Sequence, residues 1–419
     1  MSKMLPINKV VESVSITHKF DKPVLKFLNT SDIENGKIIK INNLPIQDLK
    51  GQAKKTIKKH DILFSEIRPK NRRFAYVDID DTYDFVVSTK LMVLRNINLE
   101  VDNKYFYYFL TNDHMLSILQ DRAENRIGSF PQITFDLLSE YFIRVPHLSE
   151  QIKIASILSA LDSKIELNNR INVELEAMAK TLYDYWFVQF DFPVYNEDGT
   201  LSGAEGYKTS GGKMVWNEEL KREIPEGWEV KELNRFSNTA SGGTPLSTNK
   251  KYYENGNIPW INSGELNSPF IIEGKKFITK AGIENSSAKM FEANTLLVAL
   301  YGATAGKVSL LQIEACTNQA VCAIIPKSKV YTNYLKFAFD DLYNHMINLS
   351  TGSARDNLSQ DLIGDLKFII SDEVLLTLFN QIVHPIINKI TLNLKENQKL
   401  TELRDWLLPM LMNGQVKVS

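Results

Sequence analysis

The chain has 419 residues, of which 24% are charged and 10% aromatic, with a formal net charge of −1. That length allows two or three domains with full cores, and the composition is that of an ordinary soluble globular protein. No apolar run approaches membrane-spanning length and the first residues carry no signal-type apolar core, so a cytoplasmic location and no membrane partner are expected.

In chain order, short strands are expected at 37–42, 62–67, 75–79 and 85–94, followed by a helix at 104–119. Basic residues gather in this first block at Lys54, Lys55, Arg68, Lys70, Arg72 and Arg73, with Asn71 among them and Arg126 and Ser129 further on. Such residues in turn-rich loops are what gripping phosphates and reading base edges require. The run Asp78-Ile79-Asp80-Asp81-Thr82-Tyr83-Asp84 suggests a calcium loop, but Tyr83 stands where that loop needs glycine. It reads as a strand-to-strand turn.

From 149 to 187 apolar residues recur at helical spacing: Ile154, Ile157, Leu158, Leu161, Ile165, Ile171, Leu175, Met178, Leu182 and Tyr185. Neither proline nor glycine interrupts them. Roughly thirty-six residues at 1.5 Å each make a rod of about 54 Å, longer than one small domain can cover. A linker rich in glycine and proline follows at 191–224. A second block then shows strands at 277–279, 295–301, 308–313 and 320–325 and a helix at 331–348. A second rod, 371–413, contains Pro385, which is expected to kink or start the helix.

The second half repeats the first. Sliding the sequence by 225 residues lays Ile386 on Leu161, Asn393 on Asn168, Leu400 on Leu175 and Leu407 on Leu182. Phe27-Leu28-Asn29 fits Trp260-Ile261-Asn262 at 233, and Asp61-Ile62-Leu63-Phe64 fits Asn294-Thr295-Leu296-Leu297 at the same offset. The fold class expected is α+β: two globular blocks, 1–146 and 225–370, separated and followed by long helices, 147–190 and 371–413, that pair as an antiparallel coiled coil. Asn168 and Asn393, both on the seam, are expected to face one another and fix its register.

Charge is unevenly placed. Residues 1–146 carry 22 basic and 18 acidic side chains, whereas 147–206 carry 4 and 10. A polyanion partner is therefore expected for the blocks rather than for the rods.

Three motifs look chemical. Gly302-Ala303-Thr304-Ala305-Gly306-Lys307-Val308 has three residues between its glycines and no hydroxyl after the lysine, so it fails as an ATP-binding P-loop; it can still approach a phosphate of DNA. Asn257-Ile258-Pro259-Trp260 differs from the aminomethyltransferase tetrapeptide at Ile258. Glu273-Gly274-Lys275 has no nearby aspartate with which to hold a metal. Cys316 and Cys322 are expected about 20 Å apart along one strand, which excludes a disulfide or zinc site, and the six histidines are scattered.

Ser241-Gly242-Gly243-Thr244-Pro245, through Tyr252-Tyr253 to Ile258-Pro259-Trp260-Ile261, resembles the signature of the specificity subunit of type I restriction-modification systems. Ile224-Pro225-Glu226-Gly227-Trp228, Thr317-Asn318-Gln319-Ala320 and Gly352-Ser353 with Asn357-Leu358 are similar to further words of that family, and the resemblance covers nearly the whole chain. Block one departs from it: no Gly-Gly-Thr-Pro precedes Phe27, and Pro69-Lys70-Asn71-Arg72 replaces the glycine loop. The resemblance implies that the blocks are target-recognition domains and the long helices spacers, in a non-catalytic subunit that reads a bipartite site in double-stranded DNA. It would dock methyltransferase subunits, which bring S-adenosylmethionine, and through them restriction and translocase subunits that use ATP and Mg; none of these cofactors is expected in this chain. In block two Thr244, Lys250, Tyr252, Tyr253, Thr304, Lys307, Arg355 and Asn357 are the residues expected to contact DNA. The rivals are a helical scaffold that never touches DNA and a methyltransferase or nuclease with both functions fused.

Overall fold

The computed structural model describes residues 2–20, 22–49, 51, 53–125, 131–193, 207–208, 213–350 and 357–418. It forms two compact units. One is Met1–Glu166 with Gln398–Ser419, the other Leu167–Asn397, so each long helix contributes residues to both.

In unit one a four-stranded sheet runs in the order Asn42–Pro45, Val24–Leu28, Phe85–Ser88 and Ala53–Thr56, its central pair parallel. A second sheet, Val11–Val14, Leu91–Asn96, Ile62–Ser65 and Phe74–Tyr76, is antiparallel throughout. Leu28, Leu63, Val87, Leu91 and Val93 pack together with none of their surface exposed, the pattern of strands buried on both faces. The strand expected over 85–94 is two strands, because Ser88 Oγ accepts from Lys90 N at 3.3 Å and turns the chain from one sheet into the other. The helix expected over 104–119 is also two, Asn103–Thr111 and Asp113–Glu124. Asn112 leaves helical backbone and its Oδ1 caps Met115 N at 2.8 Å.

Unit two repeats this plan. Phe277–Ile278, Ile258–Ile261, Ala315–Thr317 and Met290–Phe291 form the sheet with a parallel central pair. Ser237–Ser241, Val321–Pro326, Leu296–Ala299 and Val308–Leu311 form the antiparallel one, which gains Phe270–Ile271 at its edge. Cys316 and Cys322 sit on strands of different sheets rather than along one strand, and both are free and buried. The equivalence also corrects the alignment by one residue: Asn294 matches His60, not Asp61. Both have left-handed backbone (φ 68° and 72°), and each donates its N–H across the same hairpin, to Leu311 O and Val77 O. Words as degenerate as Leu-Leu leave such a slip invisible in the sequence.

The first long helix spans Leu148–Tyr183 and ends in one π turn, Asp184–Val188; the second spans Glu373–Met412. Pro385 neither starts nor ends it. That residue lies on the exposed side of the helix, so the N–H it lacks is missing where the chain is not packed. Among the described residues no helix is long and apolar enough to cross a membrane.

Within unit two the helices pair antiparallel: Asn168 Nδ2 donates to Asn397 Oδ1 at 2.9 Å, and Asn393 Nδ2 to Asn172 Oδ1 at 2.8 Å. As one number rises by four the other falls by four. Asn168 and Asn393 are thus buried on the seam as expected, but each meets the asparagine one turn along rather than its own repeat mate. Because 168 and 393, and 172 and 397, are equivalent, duplication makes one rung the mirror of the other. Leu175, Leu182 and Ile386 pack against the core of unit two, while in unit one Leu407 lines the core and Leu161 and Leu400 are half-buried. Ile157, Met178 and Tyr185 are not on the seam but exposed. Trp186 and Phe187 are core residues: the Phe187 ring meets Phe379 edge-on at 5.1 Å and Tyr334 at 4.9 Å.

Candidate nucleic-acid interface

In unit two, five loops and the start of a sixth segment gather at one edge of the sheets. Gly243 N donates to Thr317 O at 2.9 Å, and a Cβ on Gly242 would lie 2.0 Å from that same oxygen, so only glycine allows this approach. Trp260 Nε1 donates to Gly243 O at 3.0 Å and Tyr253 Oη to Pro245 O at 2.5 Å. The signature around Gly-Gly-Thr-Pro is therefore first a scaffold, and burial raises the Tyr253 phenol above its ordinary pKa. Thr244 emerges from it exposed and hydrogen-bonded to Gln319. Gln319 lies outside the residues expected from the sequence; its signal is the Thr-Asn-Gln-Ala word.

The hairpin between Leu296–Ala299 and Val308–Leu311 turns with Gly302 and Gly306 left-handed (φ 86° and 75°). Thr304 is buried there, its Oγ1 donating to Ser263 O at 2.9 Å, and Lys307 Nζ donates to Asn267 Oδ1 at 2.7 Å. Thr304 thus ties two loops together. Leu358 N donates to Leu300 O at 2.8 Å, which brings Asn357 to the same edge. Lys250 and Tyr252 lie on a short 3-10 turn, with Lys250 extended into solvent.

Unit one builds the same edge with other side chains. Its hairpin between Ile62–Ser65 and Phe74–Tyr76 carries a 3-10 turn, Pro69–Asn71, flanked by left-handed Arg68 and Arg72 (φ 48° and 53°). These are the positions of Gly302 and Gly306, 234 residues on. Asn71 N donates to Arg68 O at 2.8 Å just as Ala305 N does to Gly302 O at 3.0 Å. Ile133 N donates to Glu66 O at 2.8 Å, the counterpart of the Leu358–Leu300 bond. Arg72 pairs with Asp113, and Arg73 Nη1 donates to Ile33 O at 3.2 Å with Glu34 3.6 Å away. Lys70 and Asn71 are exposed, and Gln120 Oε1 holds the Lys70 N–H at 3.2 Å.

Lys54 is exposed on the strand Ala53–Thr56, whereas Lys55 points inward. Its ammonium donates to Leu91 O at 2.8 Å and Thr89 O at 3.1 Å, and burial lowers its pKa. That makes Lys55 a clamp on the 88–91 turn rather than a surface cation. Arg126, Ser129 and Arg355 lie outside the described residues. Among those residues no group of histidine, cysteine, aspartate and glutamate could hold a metal ion.

Fold and site define a tandem of two recognition blocks threaded by long helices. The family model described as "Type I restriction modification DNA specificity domain" matches residues 13–177 and again 225–402. The chain belongs to the family of type I restriction-modification specificity subunits, and each of the two matched segments holds one of its two recognition domains. It is similar to the type I restriction enzyme HindI specificity subunit of Haemophilus influenzae, with 33% identity over 96% of this chain and 97% of that one. The MjaIX specificity subunit of Methanocaldococcus jannaschii is 29% identical over 76% of this chain and 70% of its own. The crystal structure of the type I S subunit from M. genitalium shares the fold, with a TM-score of 0.60 at 18% identity over 98% of this chain and 96% of that one.

Proposed function

We propose that the loop edge of each unit reads one half of a split DNA site, and that the chain itself catalyses nothing. The supporting observation is the pair of equivalent edges: the same hairpins and the same backbone bonds present different side chains, as two readers of unlike sequences require. Lys250 and Thr244 in one unit, and Lys54, Arg68, Lys70 and Asn71 in the other, are the exposed groups that reach DNA. Methyltransferase subunits, carrying S-adenosylmethionine, dock on the long helices. There Val173, Met178, Leu392 and Trp406 are exposed at 65%, 60%, 62% and 56%, and restriction subunits with their ATP and Mg join through them.

Duplex binding by the chain together with its methyltransferase subunits tests this. With six to ten phosphates contacted, affinity is expected to fall roughly 10³- to 10⁵-fold between 50 and 200 mM salt. Binding that is absent or indifferent to salt would instead favour a scaffold.

A further inference from the structure

The hairpins at 68–73 and 302–307 share a backbone, yet unit one spends two arginines where unit two uses glycines. The left-handed region is costly for a residue with a Cβ, so such a residue persists where the surroundings impose it and where its side chain serves a purpose. Of the three arginines in this loop, Arg72 is paired with Asp113, and Arg73 is held by the Ile33 carbonyl and Glu34. Arg68 alone is exposed and, among the described residues, its guanidinium has no partner. Its position is nevertheless fixed: its N–H donates to Pro131 O at 3.1 Å, its C=O accepts from Asn71 N, and Pro69 follows with its own φ locked. A fork of donors is thus carried by a rigid turn and, among the described residues, is unspent.

We propose that Arg68 is a specificity-determining residue of unit one, reading a guanine of its half-site through bidentate donation to O6 and N7 in the major groove. The proposal rests on the reading of the loop edges as DNA-facing. Lys307, at the position of Arg73, is tied to Asn267, and Gly302 carries no side chain, so unit two has no such reader at this turn.

The test is a randomised-site methylation assay with the chain and its methyltransferase subunits, comparing the native protein with Arg68→Gly and Arg68→Lys. Glycine suits the left-handed backbone better than arginine, so the loop keeps its shape; lysine keeps the charge but cannot make the fork. Both variants are expected to lose about 5- to 150-fold discrimination at one base pair of one half-site, leaving the other half-site unchanged. An unchanged base profile overturns the proposal, as does uniform weakening at every position, which is the mark of a phosphate contact. Should glycine abolish methylation altogether, the lysine profile decides between these outcomes. If the native protein shows no two-part site at all, the reading of the loop edges fails rather than the role of Arg68.

Discussion

Seven residues inserted into each long helix, just before Asn168 in the first and just after Asn397 in the second, are expected to lengthen the unread gap between half-sites by about three base pairs. Seven residues advance a helix by about 10 Å and keep the apolar stripe in phase, because the seam repeats every 3.5 residues. The insertions flank the Asn168–Asn397 rung, so both asparagine rungs keep their partners. An insertion in one helix alone leaves both rungs in step but shifts the helices by seven residues beyond them, where Arg404 pairs with Asp162 at 2.8 Å, and methylation should then fall rather than shift. The readout is the gap length in methylated sites, and an unchanged gap refutes the idea that the helices act as a ruler.

Lys336→Ala is expected to destabilise unit two by about 1–3 kcal/mol: the lysine is buried, but the Asp340 and Glu176 carboxylates it leaves behind are 35% and 36% exposed, so solvent offsets part of what breaking a fully buried pair costs. The Lys336 side chain is 2% exposed, bonded to Asp340 at 2.6 Å and Glu176 at 3.1 Å, with its ammonium 4.8 Å from the Phe337 ring centre. Burial already raises the Asp340 carboxyl above its ordinary pKa, with Lys336 opposing that rise. Removing the lysine lifts it further. A carboxyl whose folded pKa exceeds its unfolded one favours the folded state only while protonated, so stability declines as pH rises from the unfolded value through the folded one. The deficit against the native protein, measured by denaturant unfolding, is therefore expected to be larger at pH 7.5 than at pH 5. A deficit independent of pH would place the loss in packing alone.

The long helices and the duplication were legible because a helical stripe of some thirty-six residues, repeated 225 residues later in the same phase, is too long and too regular to arise without a duplicated rod. Which side of the stripe is covered was less legible: Met178 and Tyr185 are as apolar as Leu175, yet they face solvent. The seam asparagines were recognisable as seam residues, but pairing one turn along depends on the stagger between helices, which no single residue encodes. In the loops the sequence misled in a physically specific way. A left-handed position is usually written as glycine, so the hairpin expected between 62–67 and 75–79 was legible, but the left-handed backbone of Arg68 and Arg72 was not. Lysine is usually on the surface, and Lys55 is buried because two strand-end carbonyls needed a donor.

The central claim is that one chain carries two unlike readers, each responsible for half of a site. Mapping methylated positions in DNA from cells that carry this chain with its methyltransferase partners tests it most directly. The account predicts two short specified sequences separated by an unread run of constant length; one continuous motif, or methylation with no sequence preference, would contradict it.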